Sequence, residues 1–304
     1  MAGRFYRAVS GILLLDKALG VSSNAALQQA RALFSAAKAG HAGSLDPLAS
    51  GLLPVCFGQA TKVCGRLLNS GKTYRVRVQL GERTESGDGE TAVVERAAVP
   101  PLDDRTLDAT LDAFLGEQQQ VPPMHSALKF EGKRLYELAR RGESVEREPR
   151  KIVVHRIARV RFQPDELEFD VYCSKGTYIR TLAADIANRL GTVGYVRGLR
   201  RLSLDPFGDL PMYTMEQLAE RPTAARDEVL LQPDQAFLDL PRVELGTGAV
   251  AGLLQGRTVA ALQPAGPGEQ RAYDDRSRFL GIVQGAPDGR IRPVRLFVDV
   301  GTVA

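Results

Sequence analysis

The sequence contains no tryptophan, only three histidines and three cysteines, and no long apolar run. Cys56, Cys64 and Cys173 show no C-x-x-C spacing, so neither a disulfide framework nor a zinc site is indicated. The apolar run before Asp16 has only four residues, which is too short for a signal peptide, and no later stretch could span a membrane. We therefore expect a cytoplasmic protein without a membrane partner.

The length and composition are those of a folded globular protein. A chain of 304 residues exceeds the usual size of one domain, so we expect one large domain and a small appended one. Basic residues outnumber acidic ones by 40 to 36, and two stretches hold much of the excess. Each stretch alone is explained by a solvated surface, but together they suit a polyanionic partner. They are Arg140, Arg141, Arg147, Arg150 and Lys151, and Arg197, Arg200 and Arg201.

The first sixty residues predict a strand, a helix and a loop. GILLLDK is typical of a short buried strand, and residues 20–23 provide a turn and an N-cap for a helix over residues 24–36. Residues 38–58 are rich in glycine and show no clear period, which predicts a structured loop. This loop carries His41 and Asp46, and loops of this kind often hold site residues.

The middle of the chain alternates between strand and helix patterns. Apolar and polar residues alternate, as in half-buried strands, in three segments: TYRVRVQL, IVVHRIARVRF and ELEFDVYC. The last two segments predict an antiparallel pair of strands. PLDDRTLDATLDAFLG predicts an amphipathic helix capped near Asp103 and ended by Gly116, and IRTLAADIANRLG predicts another that ends at Gly191. Together these segments predict an α+β fold.

Two segments interrupt this rhythm. Residues 116–151, with a glutamine run and five basic residues around a helical core, look like an insertion. Residues 205–240 are irregular and marked by prolines, with a short helix at TMEQLAE, and a domain boundary is expected near their end. The helix GAVAGLLQG and the strands RFLGIVQ and IRPVRLFV follow. We therefore expect domains over residues 1–238 and 239–304, the second small and rich in β-structure.

The segment around Asp46 carries a long motif. A lone Asp-Pro step usually only begins a turn, but KAGHAGSLDPLASGLLPVCFGQATK resembles the defining motif of TruB-type tRNA pseudouridine-55 synthases of bacterial type. The resemblance covers most of residues 10–204, and the C-terminal module is similar to the family's PUA-type RNA-binding domain. The other matching segments, in the family's order, are LLLDKALGVSS, SGKTYRV, VPPMHSALKFEGKRLYELARRG, CSKGTYIRTLAADIA and LRRLSL.

The resemblance implies both a fold and an activity. The implied fold is a mixed, mainly antiparallel sheet flanked by helices, with a mobile RNA-binding thumb at about residues 122–151. The implied reaction converts uridine 55 in the T-loop of tRNA to pseudouridine. Because the uracil is detached at N1 and rejoined through C5 without net redox change, we expect no cofactor and no metal.

The family pattern assigns three residues to the chemistry. Asp46 matches the nucleophile, and an unperturbed aspartate, with a pKa of about 3.9, is already ionised at neutral pH. Arg180 matches the arginine that pairs with this carboxylate, although by pattern alone it is a helix-surface residue. Tyr74 matches the tyrosine that stacks on the target base, although by pattern it is one aromatic on a strand's apolar face.

Further residues match positions that bind the substrate. Tyr178 and Leu202 are expected to shape the uracil pocket, although either is explained as plain core by pattern. His41 is expected to lie near the flipped nucleotides and to aid RNA binding. Lys17 and Lys62 lie in matching segments and could meet phosphates, although solvated lysines are the simpler interpretation. The chain departs from the common family residues at Ala42 and His125, which puts hydrogen bonds or stacking at those two points in question.

The expected partner is tRNA, bound through its T-arm and its acceptor end, with no obligate protein partner. One alternative is the related archaeal and eukaryotic class that a separate RNA guides, but the insertion at residues 122–151 and the lack of lysine-rich tails argue against it. A second alternative is a non-catalytic RNA-binding protein or tRNA-folding chaperone. The presence of Asp46, Tyr74 and Arg180 argues against that one.

Overall fold

A computed structural model describes residues 6–126 and 128–297 of the chain. The strands are β1 (Gly11–Lys17), β2 (Ala39–His41), β3 (Ala49–Phe57), β4 (Lys72–Leu80), β5 (Glu82–Thr84), β6 (Val93–Arg96), β7 (Gly116–Gln120), β8 (Lys129–Phe130), β9 (Lys133–Arg134), β10 (Arg150–Gln163), β11 (Glu166–Cys173), β12 (Gly194–Leu204), β13 (Arg242–Glu244), β14 (Val259–Ala260), β15 (Gly268–Tyr273), β16 (Phe279–Gly285) and β17 (Arg290–Leu296). The α-helices are α1 (Ser23–Leu33), α2 (Cys64–Leu68), α3 (Asp104–Asp112), α4 (Leu135–Ala139), α5 (Ile179–Arg189), α6 (Met215–Glu220), α7 (Thr223–Asp227) and α8 (Thr247–Leu254), and 3-10 turns cover Gly58–Val63 and Pro233–Phe237.

The main sheet has eight strands, in the order β1-β3-β12-β4-β11-β10-β7 with β2 beside β3. Its neighbours pair antiparallel except β3 and β12, which run parallel. In β4 the predicted alternation is confirmed, since Tyr74, Val76, Val78 and Leu80 are buried while Arg75 is exposed. The α+β prediction is therefore confirmed, with a mixed and mainly antiparallel sheet.

The predicted α-helices are present, but their ends differ from the predicted ones. Ser22 caps α1, and its side chain accepts a hydrogen bond from the Ala25 amide at 3.1 Å. Asp103 caps α3 in the same way, but that helix ends at Asp112 rather than near Gly116. Gly116 instead opens β7 with a positive φ of 87°, a backbone conformation that glycine adopts without strain.

Three strands lie where the sequence predicted a loop and an insertion. The loop predicted over residues 38–58 is largely β2 and β3, and only residues 42–48 lie between these strands. Strand β3 is buried along almost its whole length, so its residues do not alternate between apolar and polar, and the pattern hid the strand. The stretch expected to begin an insertion at residue 116 first forms β7 on the edge of the sheet.

The C-terminal part forms its own five-stranded sheet, in the order β13-β15-β16-β17-β14, beside helix α8. The predicted helix and two strands of this part are confirmed. An aromatic cluster of Phe237, Phe279 and Phe297, with ring centroids 5.2–6.4 Å apart, packs this sheet against the 3-10 turn that precedes it. Within residues 6–126 and 128–297, no helix is both long and apolar enough to cross a membrane.

Candidate active site

Asp46 lies in the short loop between β2 and β3, and its two neighbours in sequence are both anchored. The backbone of Leu45 both donates to and accepts from the buried hydroxyl of Ser23, at 2.8 and 2.9 Å. The carbonyl of Pro47 accepts a hydrogen bond from the Gly20 amide at 2.8 Å. Because the peptides on both sides of Asp46 are tied to the start of α1, the position of its carboxylate is set by the fold.

Arg180, in the first turn of α5, is the ion-pair partner of Asp46. Its Nη2 lies 3.2 Å from Asp46 Oδ2, and its Nη1 lies 3.4 Å from Asp88 Oδ2. The same guanidinium donates to the carbonyls of Ser86 and His125, at 2.9 and 2.6 Å. The Arg180 side chain is only 8 % exposed, whereas that of Asp46 is 48 % exposed. Arg180 is thus a buried cation that holds a carboxylate at the surface of a cavity.

The charges around Asp46 act in opposite directions. Burial raises the pKa of the carboxyl group, the Arg180 guanidinium opposes this effect, and Asp88 and Glu90 raise the pKa further. The pKa of Asp46 is therefore raised from its ordinary value, and the ionised state expected at neutral pH stays a prediction. Burial and two nearby carboxylates favour the protonated acid, whereas Arg180 and, to a smaller degree, Lys17 favour the ionised form.

Asp46 and Arg180 border a cavity of about 220 Å³. Tyr74 also lines it, and this side chain is only 9 % exposed. Burial raises the pKa of the Tyr74 hydroxyl, and the nearby Arg201 opposes this effect. A raised pKa keeps the phenol protonated at neutral pH. The remaining lining residues are Ser44, Leu45, Ser126, Thr177, Tyr178, Ile179 and Leu199.

Of the two residues expected to shape the pocket, the structure brings only Tyr178 to the cavity. Gln120 fixes the backbone of Tyr178, because its side chain accepts from the Tyr178 amide and donates to the Tyr178 carbonyl, at 2.8 and 3.1 Å. Leu202 is not among the described residues that line the cavity, and Leu199 of the same strand takes that position. A bulge between Arg201 and Ser203 shifts the alternation of β12 at Leu202.

His41, at the end of β2, is partly buried outside the cavity lining. Burial and the nearby Arg201 both lower the pKa of its imidazole. The Nδ1 atom is buried without a hydrogen-bond partner among the residues that the structure describes. The histidine is therefore neutral at pH 7, so it offers no charge to a phosphate.

Both lysines expected to meet phosphates donate hydrogen bonds to backbone carbonyls of this chain. Lys17 is 1 % exposed, and its ammonium donates to the carbonyls of Ala18 and Val21, at 3.0 and 2.6 Å. Lys62 donates to the Leu296 carbonyl at 2.6 Å, so it ties the 3-10 turn after β3 to the C-terminal sheet. The expectation for Lys17 is corrected, because its ammonium is buried against backbone carbonyls, whereas the phosphate contact of the half-buried Lys62 stays a prediction.

The second basic stretch is only partly a surface cluster, because Arg197 is exposed whereas Arg200 and Arg201 have partners within the protein. Arg201 is 1 % exposed and donates to the carbonyls of Leu52 and Gly43, at 2.6 and 2.8 Å. Arg200 forms a bidentate ion pair with Asp16. These side chains stabilise the sheet beneath the Asp46 loop. In the first stretch, by contrast, Arg140, Arg141, Arg150 and Lys151 are exposed.

Sequence reasoning missed several residues of the site. Asp88, 7 % exposed, pairs with Arg180, but its place in a Gly-Asp-Gly turn signalled only a turn. Gln120 lay in a glutamine run with no distinguishing signal, and Ser126 lay in a matching segment without an assigned role. Among the described residues, no group of three or more His, Cys, Asp or Glu side chains could hold a metal ion.

Solved structures share this fold. A chain in a crystal structure of a Cbf5-Nop10-Gar1 complex superposes with a TM-score of 0.72 at 22% identity, and the match covers 96% of this chain and 86% of that one. A chain of the archaeal box H/ACA sRNP Nop10-Cbf5 complex gives 0.72 at 20% identity, over 98% and 89% of the two chains. The predicted pseudouridine synthase fold with a small PUA-like C-terminal domain is thereby confirmed.

Three family models match consecutive parts of the chain. They describe the TruB family pseudouridylate synthase N-terminal domain (residues 31–179), the tRNA pseudouridylate synthase B C-terminal domain (residues 180–238) and the C-terminal part of pseudouridine synthase II TruB (residues 241–297). The chain belongs to the TruB family of pseudouridylate synthases and is therefore an isomerase.

Curated relatives agree over nearly the whole length. The chain is 48% identical to the tRNA pseudouridine synthase B of Chromohalobacter salexigens, over 95% of this chain and 94% of that protein. It is 47% identical to the protein of the same name from Methylobacillus flagellatus, over 98% of each chain. The corresponding protein of Yersinia enterocolitica is 45% identical, over 96% and 92% of the two chains.

Proposed function

We propose that this protein converts uridine 55 in the T-loop of tRNA to pseudouridine, with Asp46 as nucleophile and without a cofactor. The observation that carries the proposal is the ion pair between Asp46 and Arg180 at 3.2 Å, on the wall of a cavity that Tyr74 also lines. Relatives named tRNA pseudouridine synthase B support tRNA as the substrate.

The residues of the cavity are suited to this chemistry. A carboxylate beside an arginine is an ionised nucleophile that needs no general base, because Arg180 stabilises the charged form. Arg180 is therefore the group that holds Asp46 ionised and aimed. The buried phenol of Tyr74 offers a flat apolar face to a base, and its hydroxyl stays protonated. The reaction detaches uracil at N1 and rejoins it at C5, so one hydrogen leaves C5 and no electron acceptor is required.

The target uridine must leave its stack to enter the cavity, which costs roughly a few kcal/mol. We infer that contacts to the RNA backbone offset this cost. Residues 122–151 carry exposed Arg140 and Arg141 beside the site and would act as the RNA-binding thumb. A second domain over residues 239–304 would hold the acceptor end, which gives salt-sensitive binding. The catalytic domain would then be residues 1–238.

The test uses an unmodified tRNA transcript tritiated at uracil C5, since rejoining at C5 releases that hydrogen to water. We expect the purified protein alone to release one tritium per tRNA, and a transcript with cytidine at position 55 to release none from that site. Asp46→Ala should release no tritium while it binds tRNA with a Kd within about threefold of wild type. Turnover by Asp46→Ala would refute the nucleophile assignment.

Two further outcomes separate the alternatives. Release that requires an added guide RNA would identify the protein as a guided synthase. Tight tRNA binding without any tritium release by the wild-type protein would identify a non-catalytic chaperone. The conservative variant Asp46→Asn, which keeps the size and one acceptor oxygen but removes the charge, distinguishes loss of the nucleophile from loss of loop structure.

A further inference from the structure

Ser126 combines burial with an unsatisfied hydroxyl group at the wall of the cavity. The residue is 5 % exposed, and its Oγ has no hydrogen-bond partner within residues 6–126 and 128–297. It lines the same cavity as Asp46, Tyr74 and Arg180. Burying a hydroxyl group without a partner is unfavourable, so a protein gains nothing in stability from a serine at this position.

The backbone of Ser126 is held in place from three sides. Its amide donates to the Met124 carbonyl at 2.8 Å, and its carbonyl accepts from the Tyr136 amide at 3.1 Å. The preceding carbonyl, that of His125, accepts from Arg180 at 2.6 Å. The guanidinium that pairs with Asp46 therefore also fixes the peptide that carries the Ser126 side chain. The hydroxyl and the carboxylate are positioned by one common group.

Three other polar groups of the cavity wall, on Arg180, Thr177 and Tyr178, already have partners within the protein. The Arg180 guanidinium is shared among two carboxylates and two carbonyls. The Thr177 hydroxyl donates to the Ser174 carbonyl at 3.0 Å, and the Tyr178 backbone bonds to Gln120. The Ser126 hydroxyl is therefore a donor that a bound molecule can satisfy.

We propose that Ser126 donates a hydrogen bond to a carbonyl oxygen of the target uracil; this inference rests on the proposed function. A half-turn of the detached base about its N3–C6 axis exchanges N1 with C5 and, at the same time, O2 with O4. A donor that faces one carbonyl before this turn faces the other carbonyl after it. Ser126 thus holds the base both before and after the exchange. One fixed donor achieves this because the two carbonyl oxygens lie symmetrically about the N3–C6 axis.

The test compares Ser126→Ala with Thr192→Val. Thr192 also has a buried hydroxyl without a partner among the described residues, but it follows α5 at the end away from the cavity. We expect Ser126→Ala to slow single-turnover tritium release about tenfold, the usual effect of one lost hydrogen bond, with the Kd for tRNA within about twofold of wild type. Thr192→Val should match the wild-type rate. Ser126→Ala should unfold at the wild-type temperature or above it, whereas a structural role predicts a lower one.

A second measurement tests whether the Ser126 hydroxyl contacts a carbonyl oxygen of the uracil. Transcripts with 2-thiouridine or 4-thiouridine at the target replace one oxygen by a weaker acceptor, and both should react more slowly in the wild type. Each penalty should shrink in Ser126→Ala, because the interaction is already gone. Equal penalties in both proteins, or a wild-type rate for Ser126→Ala, would overturn the inference and leave the proposed function intact. Failure of the wild type to release tritium would instead contradict the proposed function.

Discussion

Gly51 lies where β3 meets its parallel partner β12, and substitution by alanine tests how tightly the sheet is closed beneath the Asp46 loop. Gly51 has a φ of +97°, and an added Cβ would lie 2.2 Å from the Arg201 carbonyl oxygen. A side chain at positive φ costs about 1–2 kcal/mol. Moving the strands apart weakens the short pairing of residues 49–51 with residues 199–201, at about 1 kcal/mol for each hydrogen bond lost. We therefore expect Gly51→Ala to lower the free energy of unfolding by about 4 kcal/mol.

The assay is thermal and urea unfolding followed by circular dichroism. For a chain of this size, about 4 kcal/mol corresponds to a Tm lower by roughly 8–16 °C. The matched control is Gly65→Ala in α2, where an added Cβ would have no neighbour within 4 Å. Because alanine favours the helix, this variant should be as stable as wild type or more stable by about 0.5–1 kcal/mol. Substitutions at surface positions usually change the Tm by no more than roughly 2 °C. A Tm for Gly51→Ala within about 2 °C of wild type would therefore refute the close approach of the two strands.

Two further predictions concern pH. Arg180→Met should slow single-turnover tritium release by roughly 10- to 100-fold and move the acidic limb of the pH-rate profile to higher pH, because the guanidinium no longer lowers the pKa of Asp46. The control is Arg159→Met, which removes a surface cation paired with Asp104 and Asp108. An acidic limb that does not move in Arg180→Met would contradict the role of the Asp46–Arg180 ion pair. Burial lowers the pKa of Lys17 to about 8 in the folded protein, whereas an unperturbed lysine has a pKa of about 10.4. Between pH 8 and about pH 10.4 the unfolded chain therefore binds more protons than the folded protein, so the free energy of unfolding rises with pH. The free energy of unfolding of wild type should therefore rise relative to Lys17→Met by up to about 3 kcal/mol from pH 7 to pH 10.5, whereas a constant difference would show that Lys17 titrates normally when folded.

Patterns of apolar and polar residues located the amphipathic elements well. Strand β4 and helix α5 each expose one face, so their period is visible in the sequence. Strand β12 was missed because it is central in the sheet and yet carries three arginines, which a pattern assigns to solvent. The structure buries Arg201 on backbone carbonyls, and no local signal distinguishes such an arginine from a surface one.

The candidate site was predicted to a similar degree. The family resemblance, rather than the pattern, singled out Asp46, Tyr74 and Arg180, and the structure brings these three together at one cavity. Leu202 is not among the described residues that line the cavity, because a bulge shifts the alternation of β12 there, and that bulge depends on pairing with β4, more than a hundred residues earlier. Asp88 was missed because its role arises only when a distant helix brings Arg180 beside it.

The bonds of Arg180 also determine when the site can form during folding. Its partners Ser86 and His125 lie 94 and 55 residues earlier in the chain, and Asp46 lies earlier still. Contacts of such long sequence separation form slowly, because each one closes a large loop of chain. During synthesis, the Asp46 carboxylate therefore leaves the ribosome long before its ion-pair partner does. A partly made chain can hold the Asp46 loop, but it has no competent site until α5 has docked.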